Sequence, residues 1–265
     1  VAVTGVQTCA LPIYIVSACI AAFGNIALIF ALIERYAPAA EFDIDEKKIA
    51  QDAGQTGNVG IIGWYVPTWF AEQYPDVVQD YKNLNKYADL FKTTESGDKG
   101  QFLGTDPSYV QYDEALVKNL GLDFKVIFTG SENATIQSIK QAVDQKKPLL
   151  FYWWEPHWLN ATVDLTRIAL PAYSEGCDAD KEKVACDYPE TPLNKIISTK
   201  FAENGGAAAQ FIKNFNWTNN DQNVVADYIT NGGMTPEQAA KKVIAVASSF
   251  IPQAQVTTAV QMFES

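Results

Sequence analysis

The segment at residues 151–158, with the sequence FYWWEPHW, concentrates the side chains of this chain that could bind a ligand. Four aromatic residues lead to a proline at position 156, and His157, the only histidine of the chain, follows it. Electron-rich ring faces attract a trimethylammonium group, which cannot donate hydrogen bonds and needs no counter-charge among rings. Ligands of α/β proteins bind at strand ends, and the proline ends this apolar run. The segment therefore predicts a site for a quaternary ammonium group.

Alternation along a strand assigns these rings to two faces. Tyr152 and Trp154 are predicted to lie on one face, and the rings at 151 and 153 on the other, so one pair can face a ligand while the other packs in the core. At roughly 0.5 to 2 kcal/mol for each desolvated ring, three rings would supply a substantial share of micromolar affinity. His157 would orient such a ligand by donating to a carboxylate. The alternative is that the rings and the histidine are purely structural.

The composition excludes several classes of function. The chain has 265 residues, a hydrophobic fraction of 48% and a charged fraction of 19%, which is typical of a globular protein large enough for two lobes. A formal net charge of -11 disfavours binding to the phosphates of nucleic acid. One histidine and four cysteines without a C-x-x-C pair do not supply the usual zinc sites. We therefore expect no metal, no cofactor and no nucleic-acid partner.

Two cysteines enclose a short polar loop. Between Cys177 and Cys186 the sequence is DADKEKVA, which is typical of an exposed segment. An oxidised pair is predicted if the protein lies outside the cytoplasm, and two unpaired thiols are the alternative. Either state gives the loop a structural role.

The amino-terminal residues are treated separately from the fold. Residues 3–13, VTGVQTCALPI, look like a translated sequencing-library adapter and are left out of the fold prediction, and we expect that natural upstream sequence is missing. Residues 10–33 are uncharged and mostly apolar, long enough to cross a bilayer, and residues 16–19 resemble a lipoprotein cleavage box. The favoured interpretation is an apolar helix of uncertain origin over residues 14–43.

From about residue 57, short apolar runs alternate with helical patterns, which is typical of an α/β sheet with crossover helices. After the cysteine loop the chain is predicted to be mainly helical, with one helix opening at Thr191-Pro192 and another at a capping box from Thr235 to Gln238. The predicted strands are 59–66, 101–104, 123–129, 149–154 and 165–170, and the predicted helices between them are 75–91, 108–120 and one capped by Ser131.

Four groups of motifs make the pattern specific. They are GWYVP at 63–67, KGQFLG at 99–104 with DPSY at 106–109, KPLL at 147–150 leading to WEPHW at 154–158, and CDYP at 186–189. In these motifs the chain, from about residue 44 to residue 242, resembles the glycine betaine-binding proteins of osmoprotectant ABC importers. The resemblance implies a non-enzymatic protein with the two-lobed α/β fold of type II periplasmic binding proteins. It also implies that the protein works outside the cytoplasm and delivers its ligand to the importer's permease, with a lipid anchor left open.

The resemblance assigns roles to single residues. Trp154 matches the cage ring of the family, and His157 matches the residue that meets the ligand's carboxylate. Tyr109 matches a second wall of the cage, and Trp64 is a weaker candidate. Tyr152 is a further candidate, because strand alternation places it on the face of Trp154. The same cage would hold glycine betaine, choline, carnitine or proline betaine, so the sequence leaves the ligand open among them.

The resemblance also implies a domain layout. Residues 44–66 would be a remnant of the first lobe with the first crossover, residues 67–162 the second lobe, and residues 163–265 the return crossover with the rest of the first lobe. In this family a further aromatic wall and backbone donors come from the amino-terminal lobe, and nothing in residues 14–43 matches them. The first lobe is therefore expected to be incomplete, with weak betaine binding as the consequence. Residues 243–265 depart from the family pattern as well.

Two other classes of function compete with this one. A secreted protein that binds or hydrolyses polysaccharide could use the same aromatic residues, with Glu155 and Asp164 as the two carboxylates. A membrane-anchored interaction domain would depend on the apolar amino terminus. Glu155 beside a proline and Asp164 at the start of a strand are more simply explained as a rim charge and a solvated turn residue.

Overall fold

The computed structural model describes residues 47–250. The adapter-like run, the apolar helix and the lipoprotein box lie outside the described residues, as does the end of the chain from residue 251. Within residues 47–250, no helix combines the length and the apolar character needed to cross a membrane.

The described residues form two compact units. One comprises residues 47–58 and 192–250, and the other comprises residues 59–191. The long strand β1 (Ala50–Pro67) contributes residues to both units. The boundary after residue 58 falls within the predicted remnant of the first lobe with its crossover (44–66), and residue 163, where the return crossover is predicted to begin, lies inside the second unit.

The second unit contains a sheet with the strand order β3-β2-β4-β1-β5. β2 runs parallel to both β3 and β4, whereas β1 pairs antiparallel with β4 and with β5. Parallel pairing brings the carboxyl ends of β2, β3 and β4 to the same edge of the sheet. Four strands lie where they are predicted, although β5 is shorter than predicted, and β1 begins nine residues before the strand predicted over 59–66. Their bounds are β2 (Gly100–Gly104), β3 (Phe124–Phe128), β4 (Leu150–Glu155) and β5 (Leu165–Arg167).

Glycine at both ends of β2 allows two phenylalanine rings of β3 to lie against it. The register pairs Gly100 with Phe124 and Gly104 with Phe128. A Cβ atom would lie 2.6 Å from the Phe124 ring at Gly100 and 2.5 Å from the Phe128 ring at Gly104. Because both distances are shorter than real Cβ contacts, a larger residue at either position would require the neighbouring phenylalanine ring to move.

Two of the helices predicted in the second unit differ from the prediction, over residues 75–91 and 108–120. The helix predicted over residues 75–91 is divided at Asp80, whose extended backbone separates α2 from a 3-10 helix. The observed elements are α1 (Thr68–Gln73), α2 (Pro75–Gln79), the 3-10 helix (Tyr81–Phe91), α3 (Asp113–Asn119), α4 (Glu132–Asp144) and a second 3-10 helix (Trp158–Ala161).

The helix predicted from residue 108 begins five positions later, at Asp113. A carboxylate oxygen of Asp106 accepts a hydrogen bond from the Ser108 N–H at 2.9 Å, and the Asp106 carbonyl accepts one from the Tyr109 N–H at 3.0 Å. Such a side-chain contact favours a turn over a helix. The turn keeps Tyr109 near the edge of the sheet at which β2 ends.

Ser131 caps α4 as predicted. Its hydroxyl oxygen accepts a hydrogen bond from the Ala134 N–H at 3.3 Å. Ile136 and Ile139 are buried on the inner face of the helix. The cap determines where the first turn of α4 lies, and Glu132 is the first residue of that turn.

The first unit contains a strand where a helix is predicted. The prediction of a helix opening at Thr191-Pro192 is wrong, because β6 (Thr191–Ser198) is a strand that pairs with β1. Its side chains alternate between half-buried and exposed at every position, which is the period of a strand. The Thr56 hydroxyl of β1 also donates to the Leu193 carbonyl at 2.8 Å.

Four helices complete the described part of the first unit. The capping box predicted at Thr235 is confirmed, because the Gln238 N–H donates to the Thr235 hydroxyl at 3.2 Å and the Thr235 N–H donates to the Gln238 side chain at 2.8 Å. The helices are α5 (Thr199–Asn204), α6 (Gly206–Asn214), α7 (Asn219–Thr230) and α8 (Pro236–Phe250).

A buried carboxyl group organises the core of the second unit. Asp113 is fully buried, and its Oδ1 atom accepts hydrogen bonds from Trp64 Nε1 and from the Tyr188 hydroxyl, each at 2.8 Å. Burial raises the pKa of the Asp113 carboxyl to about 6, and the two hydrogen bonds only partly oppose that rise. Tyr188 follows the cysteine loop, in which the structure joins Cys177 and Cys186 by a disulfide.

We predict that Asp113→Asn flattens the dependence of stability on pH. The pKa of Asp113 is about 6 in the folded state, against an ordinary value of 3.8, so the unfolded state releases its proton first as pH rises. The stabilising contribution of this group is complete below about pH 4 and is lost by about pH 6, a change on the order of 3 kcal/mol in the free energy of unfolding. Urea unfolding of both proteins across this range measures the change, and parallel profiles would contradict the prediction.

Candidate ligand-binding site

The carboxyl ends of the three parallel strands carry the side chains of one candidate site. The turn after β2 carries Tyr109, and the first turn of α4, which follows β3, carries Glu132. β4 carries Trp154 near its end, and His157 lies just beyond it as the cap of a 3-10 helix. This edge of an α/β sheet is where ligands commonly bind.

Glu132 joins the other two strand ends. Its Oε2 atom accepts a hydrogen bond from the Tyr109 hydroxyl at 3.2 Å, and its Oε1 atom lies 3.2 Å from Nε2 of His157. The side chain of His157 is 1% exposed and that of Glu132 is 11% exposed. Hydrogen bonds to a carboxylate are about twice as strong as those between neutral groups. Within residues 47–250, no group of three or more His, Cys, Asp and Glu side chains could hold a metal ion.

His157 is neutral, and its hydrogen lies on Nε2. The Leu159 N–H donates to Nδ1 of His157 at 3.0 Å, so Nδ1 acts as an acceptor. The neutral ring therefore carries its hydrogen on Nε2 and donates it to Glu132. Burial lowers the pKa of His157 below the ordinary histidine value, and the contacts with Glu132 oppose this shift only in part.

Burial and the neighbouring carboxylate of Glu132 raise the pKa of the Tyr109 phenol. Tyr109 therefore keeps its proton at neutral pH and remains a donor to Glu132. In these two contacts with Glu132, Tyr109 and His157 both donate as neutral groups.

Trp154 is the centre of an aromatic cluster that comprises Tyr109, Tyr152, Trp153, Trp154 and His157. Its ring centroid lies 5.7 Å from that of Tyr109 and 5.4 Å from that of His157, and both rings meet it edge to face at 79°. The indole is 1% exposed, and its Nε1 atom has no hydrogen-bond partner among the described residues. A buried N–H without a partner costs roughly 1 to 3 kcal/mol, which a bound acceptor would offset.

Strand alternation predicts opposite faces for Trp153 and Trp154, yet their rings are close to each other. The ring centroid of Trp153 lies 4.4 Å from that of Trp154. Trp153 Nε1 donates to Asn160 Oδ1 at 3.0 Å, beyond the end of β4. The cluster therefore contains one ring more than strand alternation predicts.

Trp64 and Tyr152 use their polar atoms inside the core. Trp64 is fully buried and donates to Asp113, whereas the Tyr152 hydroxyl donates to the Val110 carbonyl at 2.9 Å. The ring of Tyr152 still lies 6.0 Å from that of Trp154. The ligand-binding roles of these two residues stay predictions, as do those of the other three candidate residues.

Threonine hydroxyls connect two of the strand ends. Thr135 in α4 donates to the Thr105 hydroxyl at 2.9 Å, and the Thr129 hydroxyl lies 2.6 Å from that of Thr135. Thr105 follows β2 and Thr129 follows β3. These contacts hold the turn that carries Tyr109 and the helix that carries Glu132 in one arrangement.

Glu132 is absent from the sequence-based prediction. The sequence places it first in a capped helix after a strand, where an acidic residue is favoured by the helix dipole and needs no other explanation. Its contacts with Tyr109 and His157 span 23 and 25 positions of the sequence. Only the pairing of the three strands brings these residues together.

A comparison with protein families identifies the relatives of this chain. Residues 31–245 match the OpuAC family, the substrate binding domain of the ABC-type glycine betaine transport system. The chain belongs to this family. The resemblance inferred from the four groups of motifs is therefore confirmed, and the family is one of transport substrate-binding proteins.

Two curated relatives match part of this chain. The trimethylamine N-oxide-binding protein of Pelagibacter ubique (strain HTCC1062) is 28% identical over 186 residues, which are 68% of this chain and 59% of the relative. The glycine betaine/carnitine transport binding protein GbuC of Listeria monocytogenes serotype 1/2a (strain 10403S) is 29% identical over 114 residues, which are 43% of this chain and 34% of the relative. The chain thus spans less than two thirds of the length of either relative.

A solved structure shows the fold of this OpuAC member. The crystal structure of a glycine betaine/carnitine/choline ABC transporter matches with a TM-score of 0.52 at 15% identity, covering 79% of this chain and 68% of that one. The predicted fold class, the α/β fold of type II periplasmic binding proteins, is confirmed by this likeness.

We predict that His157 titrates below the ordinary histidine range. Burial lowers its pKa, and Glu132→Gln should lower it further because the substitution removes the charge that favours the protonated ring. Nitrogen-15 spectra over a pH titration measure both the midpoint and the tautomer, and the signals need no assignment because the chain has one histidine. A midpoint at or above about 6.5, or a hydrogen on Nδ1, would contradict this description of the site.

Proposed function

We propose that this OpuAC-family protein binds a quaternary ammonium ligand at the aromatic cluster and delivers it to the permease of an ABC importer. The main support for this proposal is the edge-to-face contact of Trp154 with Tyr109 beside the carboxylate of Glu132. These residues lie at the sheet edge where ligands of α/β proteins bind. Family membership supports the transport role. The names of the relatives support small methylated amines as the class of ligand.

The chemistry of the cluster suits a cation that carries no hydrogen-bond donors. Two rings that meet at 79° form a corner in which ring faces point in different directions. A trimethylammonium group in contact with such faces gains about 0.5 to 2 kcal/mol from each ring. Trp154 is almost fully buried, so water competes weakly for the cation there. The charge of Glu132 adds a longer-range attraction.

Location and partners follow from the proposed transport role. A disulfide between Cys177 and Cys186 is typical of proteins in oxidising compartments, which supports a site of action outside the cytoplasm. The proposed macromolecular partner is the membrane-embedded permease of the importer. Membrane association would then occur through the permease or through an anchor.

A binding role is favoured over hydrolysis of polysaccharide. Glycosidases place two carboxyl groups on either side of a sugar, one as an acid and one as a nucleophile or base. The carboxylate inside this cluster, Glu132, instead accepts hydrogen bonds from Tyr109 and His157. The match to a transport family weighs in the same direction.

We predict that Trp154→Leu weakens the binding of choline and glycine betaine alike. Leucine keeps an apolar side chain but has no ring face, so the loss should be about 2 kcal/mol, or roughly 30-fold in Kd. Trp154→Phe, which keeps a ring face, should retain most of the affinity. Isothermal titration calorimetry with both ligands and with a cello-oligosaccharide measures these effects.

Trp69→Leu is the matched control for this experiment. Trp69 is a partly buried tryptophan of α1 outside the aromatic cluster, and its substitution should leave the Kd values unchanged. Binding of the oligosaccharide without binding of either ammonium ligand would refute the proposed function. Equal losses in the Trp69 and Trp154 variants would show that the cluster is not the site.

A further inference from the structure

We infer that Glu132 is a specificity-determining residue, which makes the site select methylated cations without a carboxylate, such as choline, over zwitterions such as glycine betaine. The inference rests on the proposed function and goes beyond it, because that function leaves the ligand open within the quaternary ammonium class. It is carried by the contacts of Glu132 with His157 and Tyr109.

The first step concerns the hydrogen of His157. A neutral imidazole has one N–H, and the Leu159 N–H occupies the other ring nitrogen at 3.0 Å. The remaining Nε2 hydrogen points to Glu132 Oε1, 3.2 Å away. A ligand carboxylate that used the same hydrogen would have to displace Glu132 from it. The sequence predicts that His157 donates to a carboxylate of the ligand. In the structure, Glu132 occupies the place of that carboxylate.

The second step concerns a second carboxylate at this place. A ligand carboxylate beside Glu132 would bring two negative charges together in a site from which water is largely excluded, since Glu132 is 11% exposed. Like charges at short range in such surroundings repel strongly. Protonating His157 would ease the repulsion, but its Nδ1 atom already accepts the Leu159 N–H and burial opposes the charged ring. A zwitterion therefore meets a cost that a simple cation avoids.

The third step concerns the ammonium end of the ligand. The Tyr109 ring meets Trp154 edge to face at 5.7 Å, and its hydroxyl donates to Glu132 at 3.2 Å. A cation in contact with the face of Tyr109 is consequently near the carboxylate of Glu132, to which the hydroxyl of Tyr109 donates. A hydrogen bond from the phenol to a carboxylate also makes the ring more electron-rich, which strengthens its attraction for a cation. Glu132 therefore favours the head group and disfavours a carboxylate.

Choline and glycine betaine form a matched pair of probes, because both carry a trimethylammonium group on a two-carbon chain. They differ in ending with a hydroxyl or a carboxylate. Wild-type protein is expected to bind choline more tightly than glycine betaine. Glu132→Gln, which keeps the size of the side chain and removes its charge, should weaken choline binding by about tenfold or more, the effect of one charge at this range in a partly buried site. Betaine binding should weaken less or improve, so the selectivity ratio should fall.

Two further variants keep the test sharp. Glu132→Asp retains the charge on a shorter side chain and should keep the preference for choline even if the Kd values of both ligands rise. Glu72→Gln removes the same charge from an exposed position in α1 and should leave the ratio unchanged. Thermal melting of each variant shows whether it is folded before its Kd values are compared, and the Asp variant serves if the Gln variant is not.

The outcomes separate this inference from the proposed function. Tighter binding of glycine betaine than of choline by the wild type, or a ratio that Glu132→Gln leaves unchanged while both ligands bind, overturns the role of Glu132 and leaves the proposed function standing. A preference for choline in Glu132→Asp that is as weak as in Glu132→Gln also overturns it, because the charge would then not be the cause. Failure of every variant and of the wild type to bind either ligand overturns both.

Discussion

Parallel pairing of β2 with β3 on one side and β4 on the other decides where every residue of the candidate site lies. Because the three strands run in the same direction, the segments that follow them emerge at one edge of the sheet. Three short stretches of sequence thereby become neighbours: the turn with Tyr109, the first turn of α4 with Glu132, and the strand end with Trp154. If β4 ran antiparallel to β2, Trp154 would lie at the opposite edge from Tyr109.

The polar contacts at this edge fix the orientation of the side chains that strand pairing brings together. Glu132 binds Tyr109 and His157 at once, so the orientation of two side chains depends on one carboxylate. The core provides a second fixed arrangement, in which Asp113 holds Trp64 and Tyr188 through a single oxygen atom. Both arrangements bury acidic groups, which costs free energy unless hydrogen bonds compensate. In both arrangements the buried acidic group binds and orients aromatic side chains.

Local patterns in the sequence were sufficient for much of this fold. Apolar runs between turn residues located the strands, and the Ser131 cap and the Thr235 capping box located two helix starts, because these signals involve residues close in sequence. The error at β6 arose at Thr191-Pro192, where proline after threonine also suits the first turn of a helix. The alternation over the following residues is the better signal, and it reflects pairing with β1, a distant partner.

The candidate site also contains residues that local sequence predicts and residues that depend on distant contacts. The chemistry of the run that contains Trp154 and His157 can be predicted from the run itself. The role of Glu132 depends on contacts that span more than twenty positions of the sequence. The proximity of the Trp153 and Trp154 rings and the hydrogen bond from Trp153 to Asn160 are likewise not predicted by strand periodicity. Residue types could be predicted from sequence, but which donor meets which acceptor depends on strand pairing.

The most direct test of the site is the detection of nuclear Overhauser effects between the methyl protons of bound choline and the aromatic protons of the protein. The contacts described here predict effects to the indole protons of Trp154 and to the ring protons of Tyr109, with both sets lost in Trp154→Leu. Effects confined to rings outside the aromatic cluster, such as those of Phe215 and Trp217 in the first unit, would contradict the proposal that the carboxyl ends of β2, β3 and β4 form the ligand-binding site.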